Sequence, residues 1–305
     1  MTQSIDNILR SEFVEPHPRI EAVCADIRAR HPDRVLAFIY YGSSLRDMDN
    51  PDKMLDFYVL VDSYRKTHKN PIRVVLNALF PPAVYYHAMD HSDGVRTTCK
   101  YSIMSLSAFE RRCSASAFLS VTWGRFSQPC VVLFPNDDDI EQRIFSAREN
   151  AVRHMASQTA PLFEEQTTSS KFWARGFMQS YRTELRPESS EGRSEEIVLR
   201  YKDRYDAIMT ALYGKADENG LYRLPGGSKF WTQFKWFFRR LLGKPTTAIR
   251  IISSAFTFEG GFDYVADKLE RHSGVRIDAT ASQRKHPVLW SPVLAFKYWR
   301  KGAFR

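Results

Sequence analysis

The sequence predicts an α/β (α+β) protein, with a mixed sheet-and-helix first half and a mainly helical remainder. Two observations carry this. Apolar runs of strand length, VLAFIYY (Val35–Tyr41), MLDFYVLV (54–61) and CVVLF (130–134), all fall within the first 135 residues. From Asp138 onward the apolar residues recur at helical spacing instead. The expected organisation is an α/β domain over 1–140, a helical domain over 141–255 and a basic, aromatic region over 256–305.

Residues 17–31 place Ile20, Val23 and Ile27 on one helical face, with charges on the other. VLAFIYY then runs to Gly42; its length, its aromatic and aliphatic content and the glycine stop make it a buried strand. SSLRDMDNPDK is a short turn or helix stub leading to MLDFYVLV, a second buried strand. Asn70-Pro71 opens a helix, IRVVLNALF, which Pro81-Pro82 closes. AVYYHAMD and VRTTCKYSIMS, joined across Ser92-Asp93-Gly94, form a hairpin. LSAFERRCSASAFLS is helical, and WGRFSQP leads into the last strand, CVVLF. Next come two helical patterns, IEQRIFSARENAVRHMA and KFWARGFMQSYRTEL. The polar stretch RPESSEGRSEE (186–196) is a loop, and EIVLRYKDRYDAIMTALYG is a helix ended by Gly214.

Composition excludes several classes. The 43% apolar and 26% charged content is globular rather than disordered. No apolar run approaches the ~18 residues that would span a bilayer. The opening MTQSIDNILRSEF has neither a signal-peptide core nor an Arg-rich transit pattern, so a cytoplasmic location is expected. Cys24, Cys99, Cys113 and Cys130 show no CxxC spacing, which argues against a zinc module and against a disulfide framework. Forty-four basic against 35 acidic residues give a net charge of +9, which favours an anionic partner: nucleic acid, nucleotide phosphates or an anionic membrane.

The segment that carries chemistry is Tyr41-Gly42-Ser43-Ser44, followed twelve residues after Ser43 by Leu55-Asp56-Phe57. Strand, Gly-Ser, short helix start and a carboxylate-bearing strand are the arrangement of polymerase β-type nucleotidyltransferases. Glycine lets the backbone approach a phosphate, and N–H groups at a helix start favour anions. The Ser43 and Ser44 hydroxyls add donors, and Asp56 would hold Mg²⁺ against the triphosphate. Most such enzymes carry a second acid two residues on, where this chain has Tyr58. Asp62 shares the face but lies about 20 Å along the strand. Asp56 therefore acts with phosphate oxygens and water, or with an acid from elsewhere such as Asp90. The plainer alternative is a Gly-Ser turn and a strand-end carboxylate with no ligand. His87 and His91 fall in a strand and turn, where a four-residue spacing does not converge on a metal. Ser43 lacks the GxSxG elbow of a hydrolase nucleophile.

YGSSL, MLDFYVLVD, His68, AVYY, Lys100-Tyr101 and GRFSQP (124–129) occur in an order and at intervals that resemble one family. It is the mitochondrial-type CDP-diacylglycerol synthases, the peripheral phosphatidate cytidylyltransferases of the translocator assembly and maintenance group. The match covers roughly residues 36–135. Beyond it, Ala248-Ile249-Arg250 resembles the family's Ser-Ile-Arg segment without the Gln that follows, and FKYWRKG resembles its closing basic-aromatic helix. The resemblance implies a nucleotidyltransferase domain, a winged-helix-like helical domain and a membrane-associating C-terminal amphipathic segment. It implies that CTP and phosphatidate give CDP-diacylglycerol and pyrophosphate with Mg²⁺, in a bacterial member peripheral on the inner face of the cytoplasmic membrane. No DNA partner is expected.

On this reading Gly42, Ser43 and Ser44 hold the triphosphate, and Asp56 the metal. Lys100 faces phosphate, or is an exposed strand lysine. Arg125 binds a phosphate of either substrate, or is an ordinary surface arginine. His68 contacts the lipid phosphate, or is structural, and Arg250 is a second lipid-phosphate candidate. Tyr85 and Tyr86 line the cytosine pocket, with one of the two assigned to the core and Tyr86 to the nucleotide.

Two segments suit a lipid surface. KFWTQFKWFFRRLLGK (229–244) aligns Phe230, Phe234, Phe237, Phe238 and Leu241, with Lys229, Lys235, Arg239, Arg240 and Lys244 supplying charge. The tail WSPVLAFKYWRKGAFR sets Trp290, Phe296, Tyr298 and Trp299 beside Lys297, Arg300, Lys301 and Arg305. Either could instead pack on the protein, or stack on single-stranded RNA. The competing functions are a nucleotidyltransferase with another acceptor (a different lipid phosphate, a sugar phosphate or RNA) and a non-catalytic membrane- or RNA-binding descendant.

Overall fold

Two central strands set the architecture, because each is apolar on both faces and must be covered on both. The computed structural model describes residues 3–47, 50, 53–91, 94–184, 190–255, 278–280, 282, 283, 293, 294, 297, 298 and 300. Helices α1 (Ile5–Arg10) and α2 (Pro18–Arg30) precede β1 (Val35–Tyr41). A single 3₁₀ turn, Ser44–Arg46, links it toward β2 (Leu55–Val61). Helices α3 (Tyr64–Thr67) and α4 (Pro71–Leu79) follow, then the hairpin of β3 (Ala83–Asp90) and β4 (Arg96–Ser105). After α5 (Leu106–Cys113) and α6 (Val121–Phe126), β5 (Val131–Leu133) completes the sheet.

The strand order is β3-β4-β2-β1-β5. β2 and β4 are parallel, and the other neighbours are antiparallel. The helical remainder comprises α7 (Asp138–Thr159), the two-residue strand β6 (Gln166–Thr167), α8 (Ser169–Tyr181) and α9 (Ser190–Arg200). It ends with α10 (Lys202–Tyr213), β7 (Tyr222–Arg223), which pairs with β6, and α11 (Lys229–Ala255). Gly214 ends α10 at φ 84°, the left-handed position that glycine takes without strain. Among the described residues no helix is long and apolar enough to cross a membrane.

Side-chain alternation divides the sheet between two cores. Phe38, Tyr40, Phe57, Val59, Tyr85 and Tyr101 pack with Ile20, Val23 and Ile27 of α2. On the other face Ala37, Ile39, Tyr58, Leu60 and Met104 join a larger core that runs through Phe109, Phe126, Ile144, Trp173 and Tyr205 to Trp236 of α11. The expected 140/141 division falls in the first turn of α7, and this core passes through it without interruption.

Three elements differ from expectation. The helix expected over 106–120 stops at Cys113, where the Ser114 hydroxyl donates to the Arg111 carbonyl and bonds the Ser116 hydroxyl, diverting the backbone. WGRF is helical, inside α6, although it holds a glycine. A Cβ on Gly124 would stand 2.2 Å from Ser180 Oγ, so close α6–α8 packing demands glycine there. The expected loop over 186–196 is helical from Ser190, supported by the Arg193–Glu196 and Glu196–Arg200 ion pairs.

Helix α11 buries one side and exposes the other. Trp236 Nε1 donates to the Gln158 carbonyl. Arg239 turns inward: Nε donates to the Phe118 carbonyl (2.8 Å) and Nη2 to Gln158 Oε1 (2.7 Å). Burial lowers its pKa to about 10. Arg239 is thus removed from the basic residues expected at a lipid surface, because its helical position faces the core. Phe230, Trp231, Phe234, Phe237, Leu241 and Leu242 are exposed. In the tail, Trp290, Phe296, Trp299, Lys301 and Arg305 lie outside the described residues. Tyr298 is buried, its hydroxyl donating to the Asp278 carbonyl, while Lys297 and Arg300 are exposed.

Candidate functional site

Strand register brings the predicted residues together. Tyr41 of β1 pairs with Asp56 of β2, Asp56 with Lys100 of β4, and Lys100 with Tyr86 of β3. Neighbouring strands lie ~4.8 Å apart, so Tyr41, Asp56, Lys100 and Tyr86 form one row across four strands. The same alternation separates the paired tyrosines. Tyr85 sits opposite Tyr101 in the α2-side core, and Tyr86 shares the other face with Lys100 and Asp56.

Gly42 closes the row at one end. Its φ is +95°, and a Cβ there would stand 2.8 Å from Asp56 Oδ2. Both facts require glycine, which lets the turn lie against the carboxylate. Ser43 is exposed beyond it, while Ser44 is fully buried, its hydroxyl beside the Tyr40 phenol. Of the two serines predicted to bind phosphate, only Ser43 presents its side chain outward.

The electrostatics centre on Asp56. Burial raises its pKa, with Lys100 and Arg125 pulling the other way. Arg125, from α6, lies 4.9 Å from the Tyr41 ring and 3.9 Å from Glu184. Burial opposes its charge, but Tyr41, Tyr58 and Glu184 more than offset this and hold the guanidinium protonated. Arg250 of α11 reaches the same neighbourhood and interacts with Tyr58, Arg112, Glu184 and Arg125. Its Nε and Nη2 are buried without a hydrogen-bond partner among the described residues. Arg112, at the end of α5, also faces Tyr58. The sequence reading missed Arg112 and Glu184, since both arrive by tertiary packing and no spacing announces them.

Other predicted residues stand elsewhere. His68 is buried with both ring nitrogens engaged, Nε2 3.1 Å from Asn77 Nδ2 and Nδ1 3.1 Å from the Tyr85 hydroxyl. Burial, helped by His31 and Arg73, lowers its pKa to about 4, so it is neutral at pH 7. Through Tyr85 it belongs to the sheet face opposite Asp56. Asp62 pairs with Arg34 at 3.0 Å, and Asp90 pairs with Arg96, four residues along β3 from Tyr86. Neither supplies a second acid to Asp56.

Tyr58 fills the place of that acid with a ring, packed 5.4 Å from Tyr41 and 4.9 Å from Phe126. Among the described residues no group of three or more acids, histidines or cysteines could hold a metal by itself. One carboxylate beside a Gly-Ser turn does suit Mg²⁺ carried in on a triphosphate, since that ion keeps several waters and takes one or two carboxylates plus phosphate oxygens. Its charge would also favour the ionised form that burial disfavours in Asp56. No protein-family model matches this chain, and no curated protein matches it.

Proposed function

We propose that this protein is a phosphatidate cytidylyltransferase, converting CTP and phosphatidate to CDP-diacylglycerol and pyrophosphate. The observation that carries the reading is the row Tyr41–Asp56–Lys100–Tyr86 with Gly42 pressed against the Asp56 carboxylate. That arrangement supports reading the pair as the Gly-Ser and carboxylate of a polymerase β-type nucleotidyltransferase domain. The motifs similar to mitochondrial-type CDP-diacylglycerol synthases favour a lipid phosphate as the acceptor. The helices after residue 140, with the β6–β7 ribbon, are read as the winged-helix-like part.

A phosphate oxygen of phosphatidate attacks the α-phosphorus of CTP, the bond to the bridging α–β oxygen breaks, and pyrophosphate leaves. Asp56 would hold Mg²⁺, and the ion would supply electrostatic stabilisation of the negative charge that builds up as pyrophosphate leaves. Gly42 lets the backbone approach the triphosphate, and Ser43 donates to it. Lys100 and Arg125 oppose the accumulating negative charge. Tyr86 lines the base side. Arg250, whose buried donors need an acceptor, is assigned to the lipid phosphate. His68, neutral and behind the sheet, is assigned to positioning Tyr85.

The exposed aromatic side of α11, with Lys229, Lys235 and Lys244, supports a peripheral site on an anionic membrane, the inner face of the cytoplasmic membrane in a bacterium. That surface favours a lipid acceptor over a sugar phosphate or RNA. The test is pyrophosphate release from CTP, Mg²⁺ and phosphatidate in mixed micelles. Release that needs both CTP and phosphatidate is expected. Mg-CTP binding without release would send the reading to another acceptor, and neither binding nor release would end it.

A further inference from the structure

Helix α4 carries an apolar ridge that the core does not use. Ile72, Val75 and Leu79, spaced i, i+3 and i+7, are 66%, 55% and 61% exposed. The buried side of the helix is polar instead: Asn77 Oδ1 accepts from the Ala83 amide at 2.6 Å, and its Nδ2 meets His68. The helix is therefore seated through a hydrogen-bonded asparagine while its aliphatic residues face outward, the reverse of a core-facing helix.

The surroundings of the ridge are cationic. Arg65, Lys66, Lys69 and Arg73 precede or flank it, with Arg65, Lys66 and Lys69 exposed, and no acidic residue occurs between Asp62 and Asp90. An aliphatic ridge bordered by cations complements an anionic bilayer, which takes apolar side chains into its acyl boundary and basic ones at its headgroups. A second copy of the chain is a poor occupant on two counts. Nine residues at ~1.5 Å rise on a helix ~10 Å across make a face of about 140 Å², far short of the ~800 Å² per partner of a stable interface. Two copies would also bring like charges together.

We infer that α4 is a lipid-contacting element, inserting Ile72, Val75 and Leu79 into an anionic membrane surface. This goes beyond α11 and the tail, and it rests on the lipid reading above for the identity of its occupant. Both α4 and α11 pack on the edge strand β3, which bears Tyr86. Lipid contact through α4 therefore anchors the strand that closes one end of the candidate site.

The test uses the full chain with Val75→Cys carrying an environment-sensitive fluorophore. The four native cysteines are buried, so labelling goes to position 75. The probes are phosphatidylcholine vesicles with and without phosphatidylglycerol. The expected result is a blue shift with the anionic vesicles only, and quenching by quenchers placed on the lipid chains. Ile72→Glu with Leu79→Glu should weaken anionic-vesicle binding more than about tenfold, since each buried aliphatic side chain contributes ~1.5–3 kcal/mol. Three results would overturn the inference: no vesicle binding, binding without a shift at position 75, or a vesicle-independent shift that disappears on dilution, as a second copy would give. Pyrophosphate release from unlabelled protein in micelles is measured alongside. Its absence with insertion intact would remove the transferase reading and leave α4 standing.

Discussion

Asp56 carries opposed demands: burial disfavours its charge, while the proposed chemistry needs it. Asp56→Asn should therefore abolish pyrophosphate release and raise the melting temperature of the ligand-free protein at pH 7. The sign follows from linkage. With a folded pKa above the ordinary 3.8, ionisation costs the folded state more than the unfolded one, and the cost grows as pH rises through the raised value. The advantage of the variant should shrink as pH falls toward 3.8, and melting curves across that range check it. Glu12 presents the opposite case. Burial works against its charge, but Arg148 and Arg204 more than offset this and lower its pKa. It accepts from Arg148 Nη2 and, at 2.6 Å, from Arg204 Nε, tying the segment after α1 to α7 and α10. Glu12→Gln should cost about 3–5 kcal/mol in urea unfolding at pH 7, because two buried cations lose their partner. That contribution is present above 4.5 and is lost as pH falls from there through the lowered pKa, so wild type and variant should converge in acid.

At the scale of elements, α11 shows how one helix divides its basic residues between seat and surface. Arg239→Ala should destabilise the protein by about 1.5–3 kcal/mol, the range for hydrogen bonds from a charged group, since the Phe118 and Gln158 acceptors lose their donor. Lys235→Ala, on the exposed side, should leave unfolding within about 0.5 kcal/mol. It should weaken anionic-vesicle binding by about 1 kcal/mol. Unfolding and vesicle sedimentation on the same two variants separate the roles. The strands were legible in the sequence because VLAFIYY and LDFYVLV are apolar on both faces and end at breakers. The Asp56–Gly42 proximity was legible because a short connection between adjacent strands brings their ends together. The start of α9 was not: its polar residues show no apolar face, and ion pairs along the helix support it. Nor was α6, since a glycine lowers helix propensity and only the close approach of Ser180 explains why one stands there. Arg239 looked like Lys235 in sequence, and only the partner across the helix distinguishes them.

For the molecule as a whole, the continuous core on the Asp56 side of the sheet has a consequence for how this protein can be divided. Ile39, Tyr58 and Leu60 belong to one core with α5, α6 and α7, which cover the sheet on that face, and with α8 and α10, which extend that core. A gene fragment ending at residue 140 would keep α1, α5 and α6 but strip α7 and the helices packed behind it from that core, and should yield insoluble product when expressed alone, whereas the two fragments co-expressed should be recovered as a complex. The same continuity limits modular inheritance. Transplanting the sheet onto an unrelated helical partner would require redesigning the shared surface residue by residue, so the sheet and its helical cover constrain each other's sequence.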